Sequence, residues 1–336
     1  MARAIRQVKF GGGEAVEVLK LEQCHIPQPA PGHVVVRMTL RPINPVDLML
    51  VRNSRLALLH QEKGKVVIGS EGFGIVHETG ESVTFFKPGQ RVIPILYWKY
   101  YLAKGEGSWQ DFVEVAEEDV ILVPDCISDE AAAQFVINPW TVYGILVDLG
   151  ISKGQYLLQN GAGSAVGRQL IQLAKRWGIK TINVVRRSSL KDDLKAIGAD
   201  EVIDSSTEDV VQRITEITQG KGAFAAVDML GGLNTKIAAA SVRNNGSLFI
   251  IGKLASQDII VDFNDLVRNI TVKFWGLTKF LEIPGRKEQV VKDVMKLFEE
   301  NVFQPLTGNK YALLDFQVAI EESEKNASGG KVLLCS

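Results

Sequence analysis

The chain has 336 residues, 46% of them hydrophobic and 23% charged, with a formal net charge of -1. This length exceeds what one hydrophobic core usually serves, so two domains of an ordinary globular protein are expected. The balanced charge argues against nucleic acid or an anionic membrane as a partner. The 3 cysteines are widely spaced and form no C-x-x-C pair, which argues against a disulfide framework and a structural zinc site.

The N-terminal segment shows no targeting signal. Residues 1–10 lead directly into a strand-like pattern, and no apolar run in the chain reaches the roughly 18 residues that a bilayer span needs. We therefore expect a cytoplasmic protein with no membrane partner. A mitochondrial location is the alternative, if a presequence has been removed.

Residues 1–122 are predicted to form a β-rich domain. Apolar and polar residues alternate in Val34–Leu40 and again in Ser108–Val115, and glycine and proline turns separate the strands. Short strands with little helix between them are typical of a twisted, barrel-like all-β unit.

Residues 123–276 follow a different pattern. Residues 129–149 are predicted as one helix or two abutting helices, with Ser128 as the N-cap and Pro139 as an interruption. From Tyr156 onward, strands alternate with helices. The predicted strands are 156–160, 181–185, 201–204, 224–229, 247–251 and 271–275, and the predicted helices are 166–177, 189–197, 207–218 and 233–242. This α/β order predicts a doubly wound, parallel six-stranded Rossmann sheet.

Residues 277–336 return to a mixed pattern. A helix is predicted at 285–301, a short helix near 315–325 and a final strand at 331–334. A single strand cannot form a domain of its own. We therefore expect it to join the sheet of the first domain, which makes that domain discontinuous, with residues 1–122 and 277–336.

The strand, turn and helix start at residues 156–167 are typical of a dinucleotide-binding loop. Gly161, Gly163 and Gly167 allow the backbone to approach a pyrophosphate, and amides at the helix N-terminus bind the anion. The spacing departs by one residue from G-x-G-x-x-G, so an ordinary strand-to-helix connection is the alternative. A second apolar strand that ends about 20 residues later favours the dinucleotide.

The end of that second strand indicates which dinucleotide is bound. An NAD enzyme has an acidic residue there for the ribose 2′-hydroxyl, whereas this chain has Arg186, Arg187, Ser188 and Ser189. Guanidinium groups match the geometry of a phosphate with paired donors. The cofactor is therefore predicted to be NADPH rather than NADH, and a solvated basic loop is the alternative.

Several short motifs occur in order along the chain. They are Arg41-Pro-Ile-Asn-Pro-Val-Asp47, Gly69-Ser-Glu-Gly-Phe-Gly74, Lys87-Pro-Gly-Gln-Arg-Val92, Gly105-Glu-Gly-Ser-Trp-Gln110, Ile137-Asn-Pro-Trp-Thr141 and Ile182-Asn-Val-Val-Arg186. With them the chain resembles the medium-chain dehydrogenase/reductase superfamily over essentially its whole length. Within that superfamily it resembles the zinc-free quinone oxidoreductase and 2-enoyl thioester reductase branch. The resemblance implies that the β-rich domain is GroES-like.

The resemblance also bears on metal content. Zinc alcohol dehydrogenases of the superfamily hold their catalytic zinc through a cysteine and a histidine, and this chain has Asn44 and Ser70 at those places. Neither side chain is a usual zinc ligand. No metal is therefore expected, and a zinc alcohol dehydrogenase is the least favoured alternative.

Without a metal ion to polarise a ketone, conjugate reduction is the easier chemistry. The resemblance implies an NADPH-dependent, zinc-independent reductase that transfers hydride to a C=C bond conjugated to a carbonyl. The substrate is a 2-enoyl thioester carried on CoA or a carrier protein, a quinone or a small enone. The alternative is a catalytically weak NADPH-binding protein that acts as a redox sensor or a structural component.

The resemblance assigns functional residues by position. Those assigned to the cofactor are Asn138, Thr141, Gly161, Gly163, Ser164, Ala165, Val166, Gly167, Arg186, Arg187, Ser188, Ile251, Gly252, Lys253, Leu254, Phe274, Trp275, Gly276 and Lys331. The catalytic candidates are Asn44, Arg55, Tyr97 and Asn138, of which Arg55 stands where the family has a tyrosine and Tyr97 comes from an insertion of this chain rather than from the resemblance. The alternatives are structural: Asn138 as a cap or turn residue, Phe274–Gly276 as edge-strand core and Lys331 as a solvated surface lysine.

The proton donor is where the chain departs from the family that it resembles. The enoyl thioester reductases have a tyrosine a few residues beyond Asn-Pro-x-Asp, and that place falls at Arg55, which is a poor proton donor. Tyr97, Tyr100 and Tyr101, in an insertion at residues 95–102, are the candidates instead. Covering apolar surface is the alternative role for these tyrosines.

Two expectations concern partners. A thioester substrate requires basic residues for a phosphopantetheine phosphate or an acidic carrier protein, and the candidates are Arg52, Arg55, Lys63 and Lys65, with a solvated loop as the alternative. The sixth strand, near Thr271–Trp275, is expected at a sheet edge with apolar residues. Because exposed edges pair readily, we expect a homodimer.

Overall fold

The described residues are 1–10, 13–52, 66–325 and 329–336 of a computed structural model, and they form two units. The first unit comprises Met1–Ile137 and Pro305–Ser336, and the second comprises Asn138–Gln304. The chain thus leaves the first unit once and returns to it. The boundaries expected from the sequence, after residues 122 and 276, both lie earlier in the chain.

Each of these two differences has a structural reason. The helix Asp129–Ala133 packs against strands of the first unit, where Asp129 pairs with Arg91 at 2.7 Å. The helix Arg286–Glu299 belongs to the second unit, where the Tyr143 hydroxyl donates a hydrogen bond to Asp293 at 2.5 Å. Local sequence patterns locate such helices but do not show which sheet they pack on.

The first unit is built mainly of short strands. Numbered along the whole chain, its strands are β1 (Ala2–Gln7), β2 (Leu19–Cys24), β3 (His33–Pro42), β4 (Val66–Val67), β5 (Phe73–Thr79), β6 (Arg91–Pro94), β7 (Phe112–Ala116), β8 (Val120–Leu122), β15 (Thr307–Ala312) and β16 (Lys331–Cys335). Its helices are α1 (Ala15–Val18), α2 (Pro45–Arg52), α3 (Asp129–Ala133) and α12 (Phe316–Lys325), with a π-helix at Tyr97–Leu102 and 3-10 turns at Glu117–Asp119 and Leu313–Asp315.

These strands form two sheets. One has the order β2-β1-β4 and the other β15-β16-β3-β5-β6-β8, with β7 also paired to β3. The last strand, β16, runs antiparallel to β3, with Leu333 opposite Pro42 and Cys335 opposite Leu40. The expected return of the C-terminal strand to the sheet of the β-rich domain is therefore confirmed.

The C-terminal segment also contributes to the core of this unit. Ile5, Leu48, Trp109, Ile320 and Leu334 belong to one buried apolar cluster, which joins β1, α2 and the segment after residue 305. Burying each large apolar side chain stabilises the fold by about 1.5–3 kcal/mol. The returning segment is thus an integral part of the first unit.

The second unit alternates strands and helices. Its strands are β9 (Tyr156–Gln159), β10 (Lys180–Val185), β11 (Glu201–Asp204), β12 (Ala223–Asp228), β13 (Val242–Ile250) and β14 (Thr271–Phe274). Its helices are α4 (Ile137–Leu149, which starts one residue before the unit), α5 (Ala165–Trp177), α6 (Lys191–Ala196), α7 (Val210–Ile217), α8 (Leu233–Ser241), α9 (Phe263–Val267), α10 (Leu277–Leu281) and α11 (Arg286–Glu299), with a 3-10 turn at Ser188–Leu190.

The strands of the second unit form one parallel sheet in the order β11-β10-β9-β12-β13-β14. This is the order of a doubly wound sheet, in which the direction of winding reverses between β9 and β12. The predicted six-stranded Rossmann sheet is therefore confirmed. Ligands of such sheets bind at the carboxyl ends of the strands near the reversal.

Local signals in the sequence define the helices that matter here. Helix α5 begins after Ser164, whose hydroxyl accepts a hydrogen bond from the Gly167 amide, and ends at Gly178, which has a left-handed φ of 70°. Ser128 caps α3 in the same way, through the Ala131 amide. Residues 129–149 form two helices, and Pro139 lies in the first turn of α4, where a missing amide proton costs little.

Across the described ranges, no helix combines the length and the apolar character that a membrane crossing requires.

Candidate active site

The loop between β9 and α5 has the geometry of an anion-binding turn. Gly161 has a φ of 60°, a left-handed conformation that glycine adopts without strain. A Cβ atom on Gly167 would lie 2.7 Å from the carbonyl oxygen of Ala162, so only glycine allows the turn to close this tightly. The amides of Ala165 and Val166 are in the first turn of α5 and have no intrahelical acceptor, so they are available to a phosphate.

A buried pair of polar side chains fixes this loop to the neighbouring strand. Asn160 follows β9 directly, and its amide nitrogen donates to the Asp228 carboxylate at the end of β12, at 2.6 Å. The Met229 amide donates back to the Asn160 side-chain oxygen at 2.9 Å. The two strand ends that flank the reversal in winding are therefore joined. Sequence reasoning did not single out Asn160 and Asp228, although each is a polar residue that ends an apolar strand.

The segment after β13 packs on the same strand ends. The Ile251 amide donates to the Asp228 carbonyl at 2.8 Å, and the Leu254 amide donates to the Met229 carbonyl at 3.1 Å. A Cβ on Gly252 would lie 2.7 Å from the Met229 carbonyl oxygen. Ile251–Leu254 thus lie beside the glycine loop, and the side chains of Lys253 and Leu254 are exposed.

The basic residues lie at the end of the next strand in the sheet. Strand β10 pairs with β9 and ends at Val185, so Arg186 and Arg187 emerge at the same edge as the glycine loop. Both arginines and Ser188 are exposed. In the part of the chain that the structure describes, Arg186 has no carboxylate within salt-bridge distance. Its guanidinium is therefore available to a phosphorylated ligand.

The first turn of α4 contains an unpaired buried donor. Asn138 is 8% exposed, and its side-chain nitrogen has no hydrogen-bond partner among the described residues. A buried donor without an acceptor costs about 1–3 kcal/mol, which a bound carbonyl oxygen would recover. Thr141, one turn further along α4, is half-buried.

The residues at the end of β14 separate into two environments. The Phe274 side chain is 72% exposed on the edge strand. Trp275 is buried instead, and its indole nitrogen donates to Asp148 on α4 at 2.8 Å. Gly276 lies directly before α10, against the Phe274 ring. The contacts of Trp275 within the described residues are those of a core residue, and its assignment to the cofactor stays a prediction.

The first unit contains a cluster of buried polar side chains, which we call the Asp47 cluster: Asn44, Asp47, Ser70, Glu71 and Lys331. The Asn44 side-chain nitrogen donates to the Ser70 hydroxyl at 3.1 Å and to Glu71 Oε1 at 2.9 Å. The Asn44 amide donates to Asp47 Oδ2 at 3.0 Å at the start of α2. Sequence reasoning named Asn44 and Lys331 for function, but it did not single out Asp47 and Glu71.

Burial changes the proton affinities in the Asp47 cluster. Desolvation, with a smaller contribution from the Glu71 charge, raises the pKa of Asp47 to about 7. Desolvation also raises the pKa of Glu71 and lowers the pKa of Lys331, whose side chain both carboxyls face. Lys331 is only 8% exposed, so the alternative of a solvated surface lysine is wrong. A contact of Lys331 with the cofactor stays a prediction.

The tyrosine-rich insertion forms a π-helix beside the same cluster. Tyr101 belongs to the buried core of β1 and α2, and Tyr100 packs in a second core cluster. Tyr97 packs only partly against the core, and burial together with the Asp47 charge raises the pKa of its hydroxyl to about 12. Of the three tyrosines, Tyr97 is therefore the one whose ring is not fully enclosed.

Of the basic residues that the sequence predicts for a thioester substrate, only Arg52 lies among the described residues. Arg52 forms ion pairs with Glu14 at 2.9 Å and with Glu324 at 2.5 Å, so its charge is neutralised within the protein. Arg55, Lys63 and Lys65 lie outside the described residues.

The chain is similar to two protein families and to known enzymes over nearly its whole length. Residues 30–125 match the family described as alcohol dehydrogenase GroES-like domain, and residues 165–300 match the family described as zinc-binding dehydrogenase. A mitochondrial enoyl-(acyl-carrier-protein) reductase of Xenopus tropicalis is 31% identical over 330 residues, which cover 93% of this chain and 89% of that protein.

Solved structures match over the full length. A putative NADPH:quinone reductase from Bacillus thuringiensis is similar with a TM-score of 0.88 and 31% identity, covering 100% of this chain and 99% of that one. The Escherichia coli quinone oxidoreductase in complex with NADPH is similar with a TM-score of 0.84 and 26% identity, covering 99% and 100% of the two chains.

The name of the second matched family raises the question of a zinc ion. Zinc in proteins takes cysteine, histidine or carboxylate ligands. At the corresponding place Asn44 directs an amide donor toward Ser70 and Glu71, and the Lys331 cation lies in the same cluster. Within the described ranges, no group of three or more His, Cys, Asp or Glu side chains is arranged to hold a metal. The residues present do not fit a zinc ion.

The two family matches occur in the order of the two units, and the similarity to relatives extends over nearly the whole chain. Asn44 and Ser70 stand where the zinc alcohol dehydrogenases have zinc ligands, and this distinguishes the zinc-free branch from them. The chain therefore belongs to the medium-chain dehydrogenase/reductase superfamily, in its zinc-free quinone oxidoreductase and enoyl reductase branch.

Proposed function

We propose that this chain is an NADPH-dependent oxidoreductase that reduces a C=C bond conjugated to a carbonyl group, without a metal ion. The observation that carries the proposal is the edge of the second sheet where β9, β10, β12 and β13 end. It brings the glycine loop, Arg186 and the segment Ile251–Leu254 together. The relatives named enoyl reductase and NADPH:quinone reductase support the same class of reaction.

The described residues fit the phosphorylated cofactor. The free amides of Ala165 and Val166 bind the pyrophosphate at the N-terminus of α5, and Gly161, Gly163, Ser164 and Gly167 shape the turn around it. Arg186, with Arg187 and Ser188, binds the 2′-phosphate. The complex of the E. coli relative with NADPH supports this choice of cofactor.

The bound cofactor supplies the hydride, and the protein must orient the reacting groups and move a proton. The unpaired Asn138 nitrogen donates to a carbonyl oxygen, either that of the nicotinamide amide or that of the substrate. Such a donor stabilises charge that develops on an enolate oxygen. The Tyr97 hydroxyl supplies the proton that the α-carbon takes up, and its O–H bond breaks as the C–H bond forms.

A 2-enoyl thioester is the substrate that we propose first. The full-length relatives named enoyl-(acyl-carrier-protein) reductase support it. A quinone is the second candidate, because the B. thuringiensis relative is named a quinone reductase and because Arg52 is already engaged by Glu14 and Glu324. A neutralised arginine offers little to a thioester's phosphate group.

Steady-state turnover distinguishes these substrates. We expect NADPH oxidation with crotonyl-CoA, measured at 340 nm (about the nicotinamide absorbance maximum), to exceed that with a small benzoquinone. A higher rate with the quinone would make the quinone the first candidate substrate and the thioester the second. Tight NADPH binding with turnover of neither substrate would contradict the proposal and indicate the catalytically weak alternative, a redox sensor or structural component.

We further propose a homodimer formed at strand β14. This strand is the edge of the second sheet, and Phe274, Phe263 and Val267 expose apolar surface on it and on the preceding helix α9. Pairing two copies of an apolar edge strand removes that surface and satisfies the unpaired backbone groups.

We also propose a cytoplasmic location, with mitochondria as the alternative because the X. tropicalis relative is named a mitochondrial protein. Cell fractionation with an antibody against the chain decides between the two.

A further inference from the structure

The edge of the second sheet where the cofactor is proposed to bind also buries a carboxylate, which the proposed reaction does not use. Asp228 is the last residue of β12 and is 0% exposed. Within the described residues, no arginine, lysine or histidine lies within salt-bridge distance of its carboxylate. A buried charge without a counter-ion is costly, and at a site for an anionic dinucleotide it requires an explanation.

Hydrogen bonding keeps the Asp228 carboxyl group ionised. Its Oδ1 accepts from the Asn160 side-chain nitrogen at 2.6 Å and from the Leu230 and Gly231 amides at 2.9 and 3.2 Å. Its Oδ2 accepts from the Thr235 hydroxyl at 2.5 Å. Donors of this kind stabilise the charged form of a carboxyl group. Because all of these donors are neutral, they hold the negative charge in place without cancelling it.

The order of the strands indicates which half of the cofactor this charge acts on. The glycine loop follows β9 and is assigned to the pyrophosphate, and Arg186 follows β10 and is assigned to the 2′-phosphate of the adenosine half. The nicotinamide half then extends the other way along the strand ends, toward β12 and β13. Asp228 ends β12, and its carbonyl accepts the amide of Ile251, the first residue after β13, at 2.8 Å. The Asp228 charge is therefore on the nicotinamide side of the glycine loop.

We propose that the Asp228 carboxylate makes the site favour the oxidised, positively charged nicotinamide over the reduced, neutral one, an inference that rests on the proposed function and deepens it. The two forms of the cofactor carry the same phosphates and differ by one positive charge on the ring. A fixed negative charge in the protein interior attracts the charged ring and finds no net charge on the neutral one. Asp228 thus promotes hydride donation through its charge.

Binding of NADP⁺ and NADPH to the substrate-free protein tests the proposal. Asp228→Asn removes the charge and keeps the hydrogen bonds, because its side-chain oxygen accepts the N–H donors and its side-chain nitrogen donates to the Thr235 hydroxyl, which rotates to accept. We expect titration calorimetry to show NADP⁺ binding weakened by roughly tenfold relative to NADPH binding, the order for one unit charge at an effective dielectric constant of about 20. A ratio of the two dissociation constants that Asp228→Asn leaves unchanged would overturn the proposal.

Two control variants separate the charge from the structure that it supports. Thr235→Val removes the hydrogen bond to Oδ2 and keeps the charge, so it is expected to change both affinities by the same factor. Asp204→Asn removes another buried carboxylate, which ends β11 on the adenosine side of the glycine loop. It is expected to leave the ratio unchanged, because the adenosine half is identical in the two forms. A change of the ratio in either control as large as that in Asp228→Asn would overturn the proposal.

Lys253→Gln makes the test independent of the folding of Asp228→Asn. Lys253 is exposed in the segment after β13, on the same side of the glycine loop. Removing its positive charge is expected to strengthen NADP⁺ binding relative to NADPH binding, opposite to the effect of Asp228→Asn and smaller, because solvent screens an exposed charge. If Lys253→Gln shifted the ratio the other way or not at all, charge at this edge would not govern the preference, and the proposal would fail.

These binding measurements also distinguish the inference from the proposed function. The expected change of the ratio, found together with no turnover of crotonyl-CoA or a quinone, would support the charge effect and contradict the proposed reaction. Turnover by the unchanged protein, with a ratio that Asp228→Asn does not alter, would overturn the charge effect and leave the proposed reaction standing. Failure of the unchanged protein to bind either form of the cofactor would contradict both.

Discussion

At the scale of single residues, Arg186 differs from five other arginines of its unit. Arg168, Arg176, Arg213, Arg268 and Arg286 each lie within salt-bridge distance of a carboxylate. Arg186 is exposed at the end of β10, and the described residues place no carboxylate beside it. An arginine left unpaired at the edge of a sheet where ligands bind is suited to a phosphate.

Replacing Arg186 by alanine is expected to weaken NADPH binding by roughly 10- to 100-fold, since a hydrogen bond to a charged group contributes about 1.5–3 kcal/mol. NADH binding is expected to remain unchanged, because NADH has no 2′-phosphate. Titration calorimetry with both cofactors measures the two effects. Arg213→Ala is the matched control, since Arg213 pairs with Glu216 on α7. An equal loss of affinity for NADH and NADPH would contradict the assignment.

Replacing Tyr97 by phenylalanine is expected to lower kcat by about 10²–10⁴-fold with little change in KM, as loss of a general acid does. Tyr100→Phe is the control, because the Tyr100 hydroxyl donates to Asp119 and accepts from the Ala116 amide within the protein. Steady-state kinetics at saturating NADPH measures both. If Tyr97→Phe retained full kcat, another group would be the proton donor.

The raised pKa of Asp47 also predicts how stability depends on pH. The folded state holds the Asp47 proton up to about pH 7, whereas an unfolded aspartate releases it near pH 4, so this residue makes stability fall as the pH rises through that window. Asp47→Asn removes the effect. We expect the variant to gain stability relative to the unchanged protein between pH 4 and 7, by up to about 4 kcal/mol at about 1.4 kcal/mol per pKa unit. Urea unfolding at several pH values measures the unfolding free energy of both proteins. A difference between them that does not change with pH would contradict the prediction.

At the scale of elements, the turn between β9 and α5 requires a glycine for steric reasons. Gly167 closes the turn against Ala162, and Ser164 caps the helix through the Gly167 amide. The same turn positions the free amides of α5, so its shape affects stability and anion binding together.

Gly167→Ala is expected to destabilise the protein by about 1–3 kcal/mol and to weaken NADPH binding, because the added Cβ forces the turn apart. Thermal unfolding and calorimetry measure the two quantities. Gly220→Ala is the control: Gly220 has open space around it but a φ of 78°, so a side chain there costs about 1–2 kcal/mol and should not alter NADPH binding. Unchanged NADPH affinity in Gly167→Ala would show that the turn does not bind the cofactor.

At the scale of the whole molecule, the distribution of exposed apolar side chains argues for self-association. Phe263, Val267 and Phe274 are 77%, 67% and 72% exposed and lie near or on the edge strand β14. Exposed apolar residues that cluster at a sheet edge mark an interface more often than scattered ones do.

Phe274→Lys is expected to halve the molar mass of the protein in light scattering at micromolar concentration. The two introduced lysine charges would face each other across the paired β14 strands and repel. Phe85→Lys is the control, since Phe85 is 80% exposed in the first unit and far along the chain from β14. A monomeric mass for the unchanged protein would refute the homodimer.

Much of the architecture follows from the sequence alone. Alternation with a period of two residues located β3 and β7 of the first unit, and the order of strands and helices after Tyr156 determined the parallel sheet, because each pattern reflects which faces an element must bury. The glycine loop and the basic residues after β10 were also visible, since their chemistry depends on residues close together in the sequence. The departure from zinc ligation at Asn44 and Ser70 was visible in the residue types themselves.

The tertiary structure alone decided which distant residues share an environment. Asp47, Glu71 and Lys331 come from separate parts of the chain and meet only when β16 returns to β3, so no local pattern indicated that they form one buried cluster. The pairing of Asn160 with Asp228 and the enclosure of Trp275 by α4 arise in the same way. Proton affinity and unpaired donors depend on burial and on neighbours, and these are properties of the folded chain rather than of its order of residues.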